Sequence, residues 1–133
     1  MSDPHAAKLA RQLEDGSLDG SAFHHVDHVR LARWYVLTYG TAEALTRFSG
    51  SVRRFAESHG STKYHETVTW AFVLLIGERL SQAAPRQAWD DFAADNGDLL
   101  EYPGVLGRLY RDETLKSSRA KAHFVLPDRL SAC

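Results

Sequence analysis

The stretch Val68-Thr69-Trp70-Ala71-Phe72-Val73-Leu74-Leu75-Ile76 constrains this chain more than any other. Wound into a helix it is apolar on all sides, and a helix without a polar face must be enclosed by other elements. It is far too short to span a bilayer, which takes about 20 apolar residues. The enclosing elements must therefore come from the rest of the chain, and apolar positions three and four residues apart supply them on both sides.

Residues 4–14 predict a short opening helix with Leu9 and Leu13 on one face. Asp15-Gly16-Ser17 and Asp19-Gly20-Ser21 mark turns. Ser21 is placed to cap a helix from Ala22 to Tyr39 that stops at Gly40. Its apolar stripe collects Val29, Leu31, Ala32, Tyr35, Val36 and Tyr39; His25 and His28 fall inside the stripe, Asp27, Arg30 and Arg33 outside it. Thr41 caps a third run to Ser58 or His59, with Leu45, Phe48, Val52 and Phe55 inward, and Gly60 ends it. Ser61 or Thr62 then caps the central helix, 62–82. Pro85 opens a helix over 85–94 with Trp89, Phe92 and Ala93 inward. Shorter helical pieces are expected at 104–111 and 117–124, before Val125-Leu126-Pro127-Asp128 leads out in extended form. Period-two alternation is too sparse to predict strands. The expected architecture is all-α: one domain over 1–133, a compact bundle of about five to six helices around the buried one.

Composition narrows the partners. With 44% hydrophobic and 25% charged residues the chain reads as folded rather than disordered. Sixteen Lys and Arg against 17 Asp and Glu leave a net charge of −1, which removes the usual electrostatic reason to expect nucleic acid or an anionic membrane. The single cysteine, Cys133, allows neither an internal disulfide nor a thiolate metal cage. Met1-Ser2-Asp3-Pro4-His5 carries no secretory pattern, so a cytoplasmic location is expected.

Against this background the histidines stand out. His25, His28 and His65 sit where helical spacing points them inward, and each buried imidazole needs a hydrogen-bond partner, a counter-charge or a metal. His25 and His28 share a helix face and can chelate one cation, His65 from the central helix can supply a third nitrogen, and Glu66 a carboxylate. Imidazoles with a carboxylate suit Fe, Cu or Zn. His65-Glu66 is not the zinc-protease signature, because Thr69 stands where the second histidine belongs. Asp27 reads as a surface or capping residue. The leading expectation is a small metal-dependent enzyme, oxidative or hydrolytic, acting on a small organic molecule. His25, His28, His65 and Glu66 would hold the ion, and substrate would enter beside Tyr35 and Tyr64 at the N-terminal end of the central helix. Two alternatives stand beside it: a metal-free acid–base enzyme using His65 and Glu66, and a non-enzymatic helical module that binds a ligand or a partner. His24 is expected in solvent, and His5, His59 and His123 look incidental. Arg47, Arg53 and Arg54 read as a solvated face. Phe23 and Trp34 lie opposite the histidine stripe and suggest a second layer or a homodimer surface.

The segments Phe23-x-His25-x-x-His28-x-x-x-Ala32, Tyr64-His65-Glu66-Thr67-x-Thr69 and Ser117-x-x-Ala120-Lys121-x-x-Phe124, ahead of Pro127-Asp128, resemble a small uncharacterised bacterial all-helical family. The resemblance covers most of the chain from the second helix onward. It implies that His25, His28, His65 and Glu66 form the working set, and it draws in Ser117, Lys121 and Asp128. Tyr64, Glu66 and Lys121 become the candidate catalytic side chains. Members of that family tend to carry Arg at the position of Lys121; Lys keeps the charge but not the planar fork that grips a carboxylate.

Overall fold

The computed structural model describes residues 3–83 and 87–129. Its helices are α1 (Pro4–Asp15), α2 (His25–Tyr39), α3 (Thr41–Ser58), α4 (Glu66–Gln82), α5 (Trp89–Asp95), α6 (Leu106–Leu109), α7 (Asp112–Leu115) and α8 (Ser118–Ala122). Single 3-10 turns lie at Gly20–Ala22 and Gly97–Leu99. There is no strand among the described residues, and the all-α bundle read from the sequence is the observed fold. α4, the apolar segment, packs against α2, α3 and α8; α2 also packs on α3, and α1 lies across both. Val73 and Ile76 of α4, Leu31 and Tyr35 of α2, and Phe92, Leu99 and Leu106 beyond them are fully buried in one core. No helix among the described residues is long and apolar enough to cross a membrane.

The starts of α2 and α4 differ from the sequence expectation, each because a side chain ahead of the helix takes up backbone groups. α2 begins at His25 rather than Ala22, because Asp19 captures the Ser21 backbone and hydroxyl in a tight turn. The chain then passes through Phe23 in extended conformation, and the Asp27 carboxylate accepts the His24 N–H at 2.9 Å. Asp27 is thus a capping residue, as its place off the stripe suggested. α4 begins at Glu66 rather than at 62, because the His65 ring takes over the capping role: its Nδ1 accepts the Val68 N–H at 3.1 Å. Thr41 is the first residue of α3 rather than its cap; Gly40, at φ +85°, ends α2 and precedes α3.

Elsewhere the helices are shorter than expected or shifted. The piece expected over 85–94 is Trp89–Asp95, and Pro85 lies outside the described residues, as does Cys133. The stretches 104–111 and 117–124 hold one short helix each, and a third, α7, lies between them. Arg33, expected outside the core, is 4% exposed. Its guanidinium lies over the rings of Phe92 and Trp89, donates to the Gln87 carbonyl, and stands 3.9 Å from Asp3. Asp3 also caps α1 through the Ala6 N–H and takes two hydrogen bonds of 2.9 Å from Arg30, so it ties the start of the chain to α2. That arrangement holds the Asp3 carboxyl below the usual carboxylate range despite its burial.

Candidate functional site

The three histidines converge on one cavity of about 700 Å3, within the range of small-ligand sites. One wall is Gly20, Phe23, His25 and His28; the second is Val52, Phe55 and Ala56 of α3 with His59 just past its end. The α3–α4 connection contributes Ser61, Lys63, Tyr64 and His65, α4 contributes Val68 and Thr69, and Tyr102 closes one end. Carbon predominates in this lining. Among the described residues Lys63 is the one Lys, Arg, Asp or Glu in this lining, and Lys63 is exposed.

The histidines play three different parts. His65 spends both ring nitrogens on backbone. Nδ1 accepts from Val68, so Nε2 carries the proton and donates to the Leu115 carbonyl at 2.7 Å. His25 donates from Nε2 to the Leu99 carbonyl at 2.9 Å, and its ring meets Phe72 edge-on at 4.8 Å. Burial lowers the His25 pKa, against a smaller opposing effect of that hydrogen bond. His28 lies flat on Phe23, ring centres 3.9 Å apart, and has no side-chain hydrogen-bond partner among the described residues. Burial, with help from the neighbouring His25, pushes the His28 pKa down to about 4 against a weaker pull upward from Asp27. The ring is neutral at physiological pH.

Glu66 and Lys121, two of the expected catalytic side chains, lie on the far side of the third, Tyr64. A second cavity of about 500 Å3 is lined by Arg53, Glu57, Glu66, Ser118 and Lys121 among others, and it shares Ala56, Ser61 and Tyr64 with the first. Glu66 accepts from Arg53 at 3.0 and 3.3 Å and from the Tyr64 hydroxyl. Burial first, then the Glu66 carboxylate, raises the Tyr64 pKa to about 12. The Arg53 guanidinium also covers the Tyr64 ring, so Arg53, exposed as expected, joins this network from the solvated face. Lys121 is exposed and donates to the Thr62 carbonyl.

The expected ligand set of His25, His28, His65 and Glu66 does not come together. Among the described residues no group of three or more His, Cys, Asp or Glu side chains is placed to hold a metal ion. The donor chemistry explains why. His65 has no free lone pair, and Glu66 points into the Arg53–Tyr64 network. Tyr35 does not border the cavity either; it is fully buried and donates to Glu14. Phe23 stacks on His28 instead of lying opposite the histidines, and Trp34 packs edge-on against Tyr35 and Tyr39, so the two do not make one outward surface. His59, which looked incidental, lines the cavity with its ring against Phe55 at 4.1 Å.

The remaining motif residues hold the C-terminal quarter in place. Thr67, fully buried, donates to the His123 carbonyl at 2.8 Å and accepts the Val125 N–H at 3.1 Å. The Tyr110 hydroxyl donates to the Val125 carbonyl at 2.6 Å. Ser117 caps α8 through the Ala120 N–H at 3.1 Å. Asp128 accepts from the Arg111 N–H at 2.9 Å and from the Thr114 hydroxyl. Sequence reading missed Thr67 as an anchor, since a threonine near a helix start carries no mark of a partner that lies 56 residues away. Compared with protein-family models, curated proteins and solved structures, the chain matches none, and the motif resemblance gains no support from that side.

Proposed function

We propose that this chain binds a small, mainly apolar organic molecule in the cavity between α2, α3 and α4. The observation that carries the reading is the lining itself: Phe23, Val52, Phe55, Ala56 and Val68 surround a ligand-sized space, and a neutral His28 opens onto it. An apolar wall with a few polar groups is the usual make-up of a small-molecule site, and filling it removes apolar surface from water. The metal-dependent reading has less support, since among the described residues no third donor joins the histidine pair. The acid–base reading through His65 and Glu66 has less support than binding, because backbone groups take both His65 nitrogens and Glu66 is held by Arg53 and Tyr64.

Naphthalene titrated into the full chain, followed by amide chemical shifts, tests this directly. Saturable shifts should map to 52–56, 64–69 and 23–28, and Val52→Trp or Val68→Phe, each filling the cavity, should abolish them while the helix signal stays. Absence of saturable binding by naphthalene and its single-ring relatives would overturn the reading.

A further inference from the structure

The polar end of the cavity has a definite hydrogen-bonding character. A carbonyl can only accept, so the 2.9 Å contact to Leu99 places the His25 proton on Nε2 and leaves Nδ1 as a lone-pair acceptor. His28 lies on the same face of α2, its ring plane fixed by the stack on Phe23. No described residue bonds its nitrogens, so a neutral ring offers one acceptor and one donor. Burial disfavours the charged form of both rings, so lone pairs rather than cations stand at this end.

The charges of the lining bear on the ligand in the same way. Among the described residues no carboxylate lines the cavity to receive an ammonium group. A ligand carboxylate or phosphate would find Lys63 as its only full charge, on the exposed α3–α4 connection rather than beside His28. Burying such an anion against apolar walls and neutral rings is costly. A ligand that meets all of these conditions is uncharged, largely aromatic and carries a hydrogen-bond donor.

We propose that the cavity selects an uncharged aromatic alcohol of the phenol class, its ring against Phe55 and Val52 and its O–H donating to His28, a selectivity that presupposes the binding proposed above. The polar group is then an anchor that sets which molecule is held, while the apolar walls set how tightly anything is held.

Four probes of one shape test this at neutral pH by titration calorimetry on the full chain: naphthalene, β-naphthol, β-methoxynaphthalene and β-naphthoate. β-Naphthol should bind roughly three- to tenfold more tightly than naphthalene, the return expected of one neutral hydrogen bond. β-Methoxynaphthalene, which keeps the oxygen but loses the donor, should do no better than naphthalene, and β-naphthoate should be the weakest. In His28→Leu the advantage of β-naphthol over naphthalene should vanish, whatever the change in naphthalene affinity itself, whereas loss of a merely structural histidine would weaken both alike. Equal binding of naphthol and naphthalene, equal binding of the methoxy compound and naphthol, or a preference for naphthoate would each overturn the proposal while leaving the cavity a binding site. If no probe binds, the binding reading fails and this one with it. The wild-type series decides the matter even if the variant does not fold.

Discussion

Burial of the His28 ring beside His25 separates its folded pKa of about 4 from an unfolded value of 6.5. Between these values the unfolded chain takes up a proton that the folded chain refuses. The stability His28 contributes by staying neutral is therefore complete above about pH 6.5 and is lost as pH falls toward about 4. The loss has an upper limit of about 3 kcal/mol, reduced by whatever water reaches the ring from the open cavity. Urea unfolding at neutral pH and near pH 4.5 should show His28→Leu losing less stability than the wild type between the two conditions; equal losses would remove His28 from the account. At this scale the sequence was legible in kind and illegible in partner. Spacing placed His25, His28 and His65 at one site, and all three line one cavity. It had no means of showing that the Leu115 carbonyl, 50 residues away, would arrive at His65 Nε2 and consume the nitrogen expected to bind metal. Arg33 was misplaced for a similar reason: its counter-charge, Asp3, comes from the cap of a separate helix.

The helices meet most closely where the start of α3 crosses the far half of α4. A Cβ on Gly77 would stand 2.4 Å from Thr41 Oγ1 and 3.0 Å from Cγ2, so Gly77 is the residue that lets these two helices touch. Alanine is worth about 1 kcal/mol more than glycine inside an unconstrained helix. The overlap reverses that sign, because the β-branched Thr41 has little freedom to swing away. Gly77→Ala should lower stability by about 1–3 kcal/mol, and adding Thr41→Ala should recover most of it, the non-additivity being read from a double-mutant cycle in urea. A stabilised single variant would mean that the helices separate freely at this point. Element ends were easier to read than element starts. Gly40 ended α2 where glycine at positive φ belongs, and the periodic stripe ran to Gln82 in α4 as expected. The starts of α2 and α4 were misjudged because histidines, His24 and His65, occupy the cap positions where Ser, Thr, Asp or Asn normally announce a helix.

For the molecule as a whole, the C-terminal quarter is secured less by its own helices, each of four or five residues, than by polar anchors on and ahead of α4. Helices that short do not persist alone. Thr67 is the anchor with most at stake, since it serves a donor and an acceptor at once in a fully buried position. Thr67→Val keeps the shape and removes the hydroxyl, stranding the His123 carbonyl and the Val125 N–H. The expected cost is about 1–3 kcal/mol, with amide exchange at 118–125 accelerating more than in α2 or α3, and Thr67→Ser should restore most of the loss. Uniform acceleration across all helices would show that the anchor is not local. The same arrangement has a temporal consequence. A ribosome delivers α1 to α4 first, and these four can gather around Val73 and Ile76 while His65 and Thr67 still face water. Only when residues 115–125 emerge do those two side chains find the carbonyls they were shaped for. These anchors therefore wait on residues 115–125, and contacts spanning so much sequence form slowly. Until then the α3–α4 connection, which borders both cavities, lacks the contact that fixes His65 at its end.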